Sequence, residues 1–246
     1  MKDQNEILTN YADAFRDLVN ARVWARNESP KTLLRLNDGS DWNFICVAMD
    51  VVGDASLAID NFLRFGLDGP TRYNDTGEKY LRLYGLLSAV YIQQEAVIKL
   101  YSLMNCPDPK NIKATFNKLE IRTLRHQLAS HSVDYVASKK EKPQAFVPVR
   151  MSLGKFSCGV TENRGDKMRT IKLDQAIIEH CKTVIWVLDK TYEKSIKTFF
   201  RGQDNKIKEF IKKLEDLRFE RDGNIIMRTS GEDKSEIRII FNKPIT

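Results

Sequence analysis

The sequence predicts a mainly α-helical protein, a helical bundle with a small β insertion and a C-terminal helix followed by a β-hairpin. Three observations carry that expectation. Apolar residues recur at helical steps through residues 77–104, and shorter stripes of the same kind fill 3–27, 41–66 and 173–200. Between about 145 and 172 the pattern changes to short apolar runs punctuated by glycine, which suits strands. The same change recurs after Asp222-Gly223. The expected organisation is a helical domain over 1–202 with its insertion at about 145–172, then an appendage over 203–246.

In chain order, Ile7, Tyr11, Ala14 and Leu18 mark the first helix, which Glu28-Ser29-Pro30 ends. Residues 31–40 read as a loop. Trp42, Ile45, Met49, Val52, Ile59 and Leu63 lie on one face of a second helix, stopped by Gly66 and Asp68-Gly69-Pro70. The 77–104 stretch carries two parallel stripes, one through Tyr84, Leu87 and Tyr91 and one through Leu83, Leu86 and Val90, as expected of a central helix. Gln93, Gln94 and Glu95 interrupt it with polar groups that need partners if buried. Glu95 and Lys99 stand at i,i+4, the spacing of a helical ion pair. After Cys106-Pro107-Asp108-Pro109 one helix is expected from about Asn111 to Ser130. Lys139-Lys140-Glu141-Lys142-Pro143 belongs to a polar loop. Two strands meet at Gly154-Lys155, and Met168–Leu173 adds a third. Leu173, Ile177, Cys181, Val184 and Leu188 form the inner face of a late helix. The tail holds a basic amphipathic helix to about Arg221 and a hairpin around Ser230-Gly231-Glu232-Asp233.

Charge is unevenly placed. The net +7 hides a segment, residues 110–172, with 14 Lys/Arg against five Asp/Glu; the remaining chain is slightly acidic. A basic segment fits a polyanionic ligand and equally a solvated lysine-rich loop. No apolar run follows Met1-Lys2-Asp3, and no uncharged run reaches the ~20 residues of a membrane span. A soluble cytoplasmic protein without a membrane partner is the expectation. Cys46, Cys106, Cys158 and Cys181 form no CxxC pair, so reduced thiols, no metal and no cofactor are expected. No phosphate-binding GxxxxGK[ST] loop, GxGxxG, HExxH or GxSxG is present, which argues against the common nucleotide hydrolases, dehydrogenases, zinc proteases and α/β-hydrolases.

Two of the three histidines lie in the basic segment, in Arg125-His126-Gln127-Leu128-Ala129-Ser130-His131. Arginine offers a fixed fork of donors to phosphate, and histidine moves a proton near neutral pH. On a straight helix of about 100° per residue, Arg125 and His131 fall about 120° apart, at opposite edges of the Ile121–Leu124–Leu128 stripe. The helix then ends near Ser130, or the arginine reaches around, or two copies combine their groups. The spacing also fits a half-buried histidine beside a solvated arginine.

An arginine, a polar residue after it and a histidine a few residues on resemble the signature of the HEPN superfamily, helical proteins that include many prokaryotic RNases. Arg125 matches the arginine, His126 the polar follower, and His131 the histidine after five intervening residues. Histidine stands where asparagine or aspartate is more usual. The resemblance implies a metal-independent endoribonuclease of the toxin or antiviral kind, in which the RNA 2′-OH attacks the neighbouring phosphorus. It implies catalytic Arg125, His126 and His131, supporting Glu95, Lys99 and Arg122, an RNA substrate, a homodimer with one composite cleft, and an antitoxin or defence-system partner. The alternative is a non-catalytic HEPN-like module that binds nucleotides or other proteins.

Overall fold

The structure is a computed structural model and describes residues 3–25, 27–71, 74–137, 142–163, 165, 167–228 and 235–241. Each long periodic stretch becomes a helix: α1 (Gln4–Val23), α3 (Asp41–Phe65), α4 (Thr76–Leu103) and α7 (Leu173–Phe199). Asp3 caps α1 by accepting the Glu6 N–H at 2.8 Å, and Asp75 does the same for α4 through Gly77 at 2.7 Å. The 28-residue α4 is the central helix expected, packed against α3, α7 and the motif segment. Its Leu83, Leu87, Val90, Val97 and Leu100 are essentially removed from solvent. Removal of so much apolar surface from water is the main stabilising contribution.

Several boundaries differ from the sequence reading. Ser29-Pro30 starts a short helix, α2 (Pro30–Leu34), where a loop is expected; the Ser29 hydroxyl accepts the Thr32 N–H and proline sits at the first turn, a favoured helix start. The single helix expected over 111–130 is broken into α5 (Pro109–Asn117), α6 (Glu120–Arg125) and a π turn over His126–Ser130. The reason is packing. Phe116 and Ile121 both enter the core, yet five residues put them about 140° apart on a straight helix. An extended Leu119 resets the phase between them.

The insertion forms an antiparallel sheet in the order β1-β2-β3: β1 (Phe146–Gly154), β2 (Ser157–Glu162) and β3 (Lys167–Lys172). Its register shifts between Pro148 and Leu153, so Phe146, Pro148 and Leu153 all turn inward while Met151 stands exposed. The β1–β2 turn is clamped at Gly66, after α3, where the Leu67 N–H donates to the Lys155 carbonyl at 2.8 Å.

At the C-terminal end, α8 (Asp204–Arg221) buries Phe210 and Leu214 in the same core, and its Arg218 and Arg221 pair with Asp189 of α7. A hairpin of β4 (Ile225–Arg228) and β5 (Glu236–Ile239) follows, tied to α8 by Arg228 and Arg238 on Asp216. The expected turn at 230–233 and the lysines at 139–140 lie outside the described residues. Among the described helices α3 alone is long and apolar enough to cross a membrane; here Ile45, Val52, Ile59 and Phe62 pack into the core.

Candidate functional site

The π turn sets the geometry of the Arg-His stretch. The His131 N–H donates to the His126 carbonyl, five residues back, at 2.8 Å. This wider turn is rare and recurs at functional sites. It carries His131 round until its ring lies 6.5 Å from that of His126, the two planes 29° apart. Helical backbone ends there, the first of the three outcomes left open by the sequence.

Tyr91 of α4 is the platform beneath the arginines. The Arg125 guanidinium lies 3.9 Å from its ring centre and that of Arg122 4.9 Å, close enough for cation–π attraction. The His126 ring meets Tyr91 edge to face at 5.9 Å. Arg125 Nη1 stands 3.4 Å from His126 Nδ1, so that nitrogen faces a donor and the neutral ring carries its proton on Nε2. Burial depresses the His126 pKa first, and the positive charges of Arg125 and Arg122 add to this, with Glu95 opposing. Both effects favour the neutral imidazole.

Beneath the platform runs a buried hydrogen-bond chain across four helices. Gln93 Nε2 donates to the Val52 carbonyl and the Ser56 hydroxyl. Its oxygen accepts from His180 Nε2 at 2.7 Å. Gln94 Nε2 donates to His180 Nδ1 at 3.2 Å, and its oxygen accepts from Arg122 Nη1 at 2.9 Å. Arg122 Nη2 then donates to Glu95 at 2.6 Å. Each amide in this chain uses both ends, which fixes the His180 tautomer. His180 is fully buried, and burial lowers its pKa to about 3. Arg122 Nε is buried without a partner among the described residues. Of the interruption, Gln94 and Glu95 meet Arg122 of the site, while Gln93 turns to Val52, Ser56 and His180. The i,i+4 pair expected of Glu95 and Lys99 is replaced: Glu95 takes Arg122, and Lys99 lies over the Phe44 ring at 4.6 Å. A buried guanidinium needs a carboxylate more than an exposed lysine does.

An open groove of about 560 Å³ exposes this arrangement to solvent, with Arg122, His126, His131, Asp134 and Tyr135 in its lining. His131 is exposed, and its Nδ1 lies 3.5 Å from Asp134 Oδ1, leaving Nε2 open to the groove. Arg122, His126 and His131 are therefore brought together. Arg125 adjoins them through His126 and Tyr91 but does not line the groove. Lys99 is on another surface, an apolar groove between α3 and α4 that also touches Tyr91 and Glu95. Arg169 of β3 binds Gln127 at 2.7 Å and Glu120 at 3.2 Å, fastening the sheet beside the motif.

Comparison with protein families, with curated proteins and with solved structures finds no match to this chain. The reading of the site rests on its own chemistry. Sequence reasoning missed Tyr91, Asp134 and His180. Asp134 was findable, three residues after His131. Tyr91 read as one more stripe residue, and His180 gave no local signal because its partners come from α4.

Proposed function

We propose that the protein is a metal-independent endoribonuclease similar to HEPN RNases, acting through the groove at the π turn. The observation that carries the reading is an open histidine, His131, with a carboxylate on one ring nitrogen and the other free, in one groove with His126 and Arg122, which Tyr91 joins to Arg125. In this reading His131 Nε2 takes the proton of an RNA 2′-OH. The 2′ oxygen bonds to phosphorus, the P–O5′ bond breaks, and a 2′,3′-cyclic phosphate and a 5′-OH remain after O5′ gains a proton. Arg125 offsets charge that develops on the phosphate. His126, neutral and holding its proton on Nε2, orients that phosphate or hands the leaving oxygen its proton. Arg122 is spent on Gln94 and Glu95 and acts by positioning.

A homodimer belongs to the proposal. Phe44, Val47 and Ile92 are about half exposed on the outer face of α3 and α4, around a groove of about 280 Å³ that Tyr91 and Glu95 also line. Exposed apolar patches of this kind mark association surfaces. A second copy seated there would cover the face that Tyr91 and Glu95 share with the motif, and the composite cleft follows from the resemblance. A role as a toxin or antiviral effector, held by an antitoxin or defence partner, follows from the resemblance alone.

One observation favours the second reading, a non-catalytic HEPN-like module that binds nucleotides or other proteins. Arg125 lies flat on Tyr91 and outside the lining of the groove that holds His131. The test is single-stranded RNA incubated with purified protein in EDTA, with the product ends identified. Cyclic phosphate and 5′-OH ends, blocked by 2′-deoxy substitution at the cut, support the nuclease. RNA retained intact supports the module.

A further inference from the structure

The β1–β2–β3 sheet carries a second cavity, of about 410 Å³, lined by Phe146, Val160, Glu162, Lys167, Met168 and Arg169. We propose that it is a subsite for a nucleobase bearing an exocyclic amino group, next to the cleaved phosphate; this rests on the ribonuclease reading. In the sheet register Phe146, Glu162 and Lys167 form one cross-strand row, and Pro148, Val160 and Arg169 the next. Directly opposed residues share a face. At one end of that face Cys158 and Ile171 are buried against the helices, and at the other it opens as the cavity. The volume falls within the roughly 300–1,000 Å³ of small-molecule sites.

The walls suit a flat, polar-edged ring. Phe146 and Val160 are buried and give an apolar floor. Gln144 Nε2 holds Glu162 Oε1 at 2.6 Å, orienting the carboxylate, while Oε2 receives no hydrogen bond from any described residue. Lys167 is exposed, 3.9 Å from Glu162 Oε1, and can reach a phosphate. Arg169 is held by Gln127 and Glu120, so it serves as a wall.

Continuity with the motif groove places the base beside the scissile bond. The Phe146 ring packs edge to face on Tyr135 at 5.4 Å, and Tyr135 lines the motif groove. The Phe146 N–H donates to the carbonyl of Ser132, the residue after His131, at 2.7 Å. Unstacked bases of single-stranded RNA present their Watson–Crick edges. A carboxylate accepts from an amino group such as cytosine N4. Uracil presents O4 where cytosine has that amino group and keeps only its N3–H donor, so it is held less tightly.

The test uses uncleavable 2′-O-methyl oligonucleotides, labelled for fluorescence anisotropy at fixed salt, so binding is read without turnover. Wild type is expected to hold oligo-C about tenfold more tightly than oligo-U, the scale of one charge-assisted hydrogen bond. Glu162→Gln should abolish that preference, and Lys167→Ala, at an exposed position, should weaken both oligonucleotides alike. Equal wild-type binding of the two polymers overturns the subsite. So does a cytosine preference that survives in folded Glu162→Gln. Should Glu162→Gln fail to fold, Lys167→Ala decides, and unchanged affinity for both polymers overturns the proposal. A cytosine preference in a protein that cuts no RNA keeps the subsite and removes the nuclease; cleavage without any base preference does the reverse.

Discussion

The His131 N–H donates to the His126 carbonyl at 2.8 Å, one residue beyond the reach of an α-helical bond. This bond ends the helix and draws the two imidazoles to 6.5 Å. Neither ring would face the same groove if α6 simply continued, because five residues turn an α-helix by about 500°.

Arg122 is the buried anchor of the site, and Arg122→Lys should show it. Lysine cannot serve Gln94, Glu95 and the Tyr91 ring together, whereas the guanidinium does. Leaving the Gln94 oxygen unsatisfied in the core costs about 1–3 kcal/mol. Urea unfolding of Arg122→Lys should show a loss in that range. Unchanged stability would mean the buried chain contributes nothing.

Acid should weaken the fold through His180. Its folded pKa is about 3 against an ordinary 6.5, so between those values the unfolded chain binds the proton that the native one refuses. The contribution is complete above pH 6.5 and declines as pH falls toward 3, by about 1.4 kcal/mol per unit. Unfolding free energies for wild type and His180→Gln, measured from pH 7 to pH 4, should converge as pH falls. Parallel curves would contradict the buried neutral imidazole.

Gly66 has φ +64°, and a Cβ there would collide with the Lys155 carbonyl. Gly66→Ala should therefore cost more than about 1 kcal/mol, since strain adds to the clash. Calorimetry should record the lowered Tm; a Tm equal to wild type would show that the turn over β1–β2 relaxes freely.

The helical scaffold was legible in the sequence because long helices that bury one face repeat their apolar residues, as Leu83, Leu86, Leu87 and Val90 do. The break at Leu119 was not, since it answers a phase conflict between Phe116 and Ile121 that only the core imposes. In the strands, Val147 and Met151 look like core residues, yet both point outward by strand alternation from Phe146 and Pro148, and the register shift after Pro148 turns Leu153 inward instead. The site divides the same way. Arg125, His126 and His131 are close in sequence and readable as a pattern, while Tyr91, Gln94 and His180 reach them only through helix packing.

The α3–α4 face predicts association. Ile92→Lys, at an exposed position, should leave the fold intact and shift a dimer to monomer in sedimentation at micromolar concentration, with RNA cleavage falling in parallel. A wild-type protein that sediments only as a monomer would remove the composite cleft.

The most direct measurement is the cleavage rate of single-stranded RNA in EDTA by wild type, His131→Ala and Arg125→Ala, each checked for native folding. A positioned proton-transfer group is worth about 10²–10⁴-fold, so His131→Ala should lose at least a hundredfold, and Arg125→Ala should fall with it by losing its charge-assisted phosphate contact. Cleavage by both variants at the wild-type rate would contradict the assignment of this groove as the catalytic site.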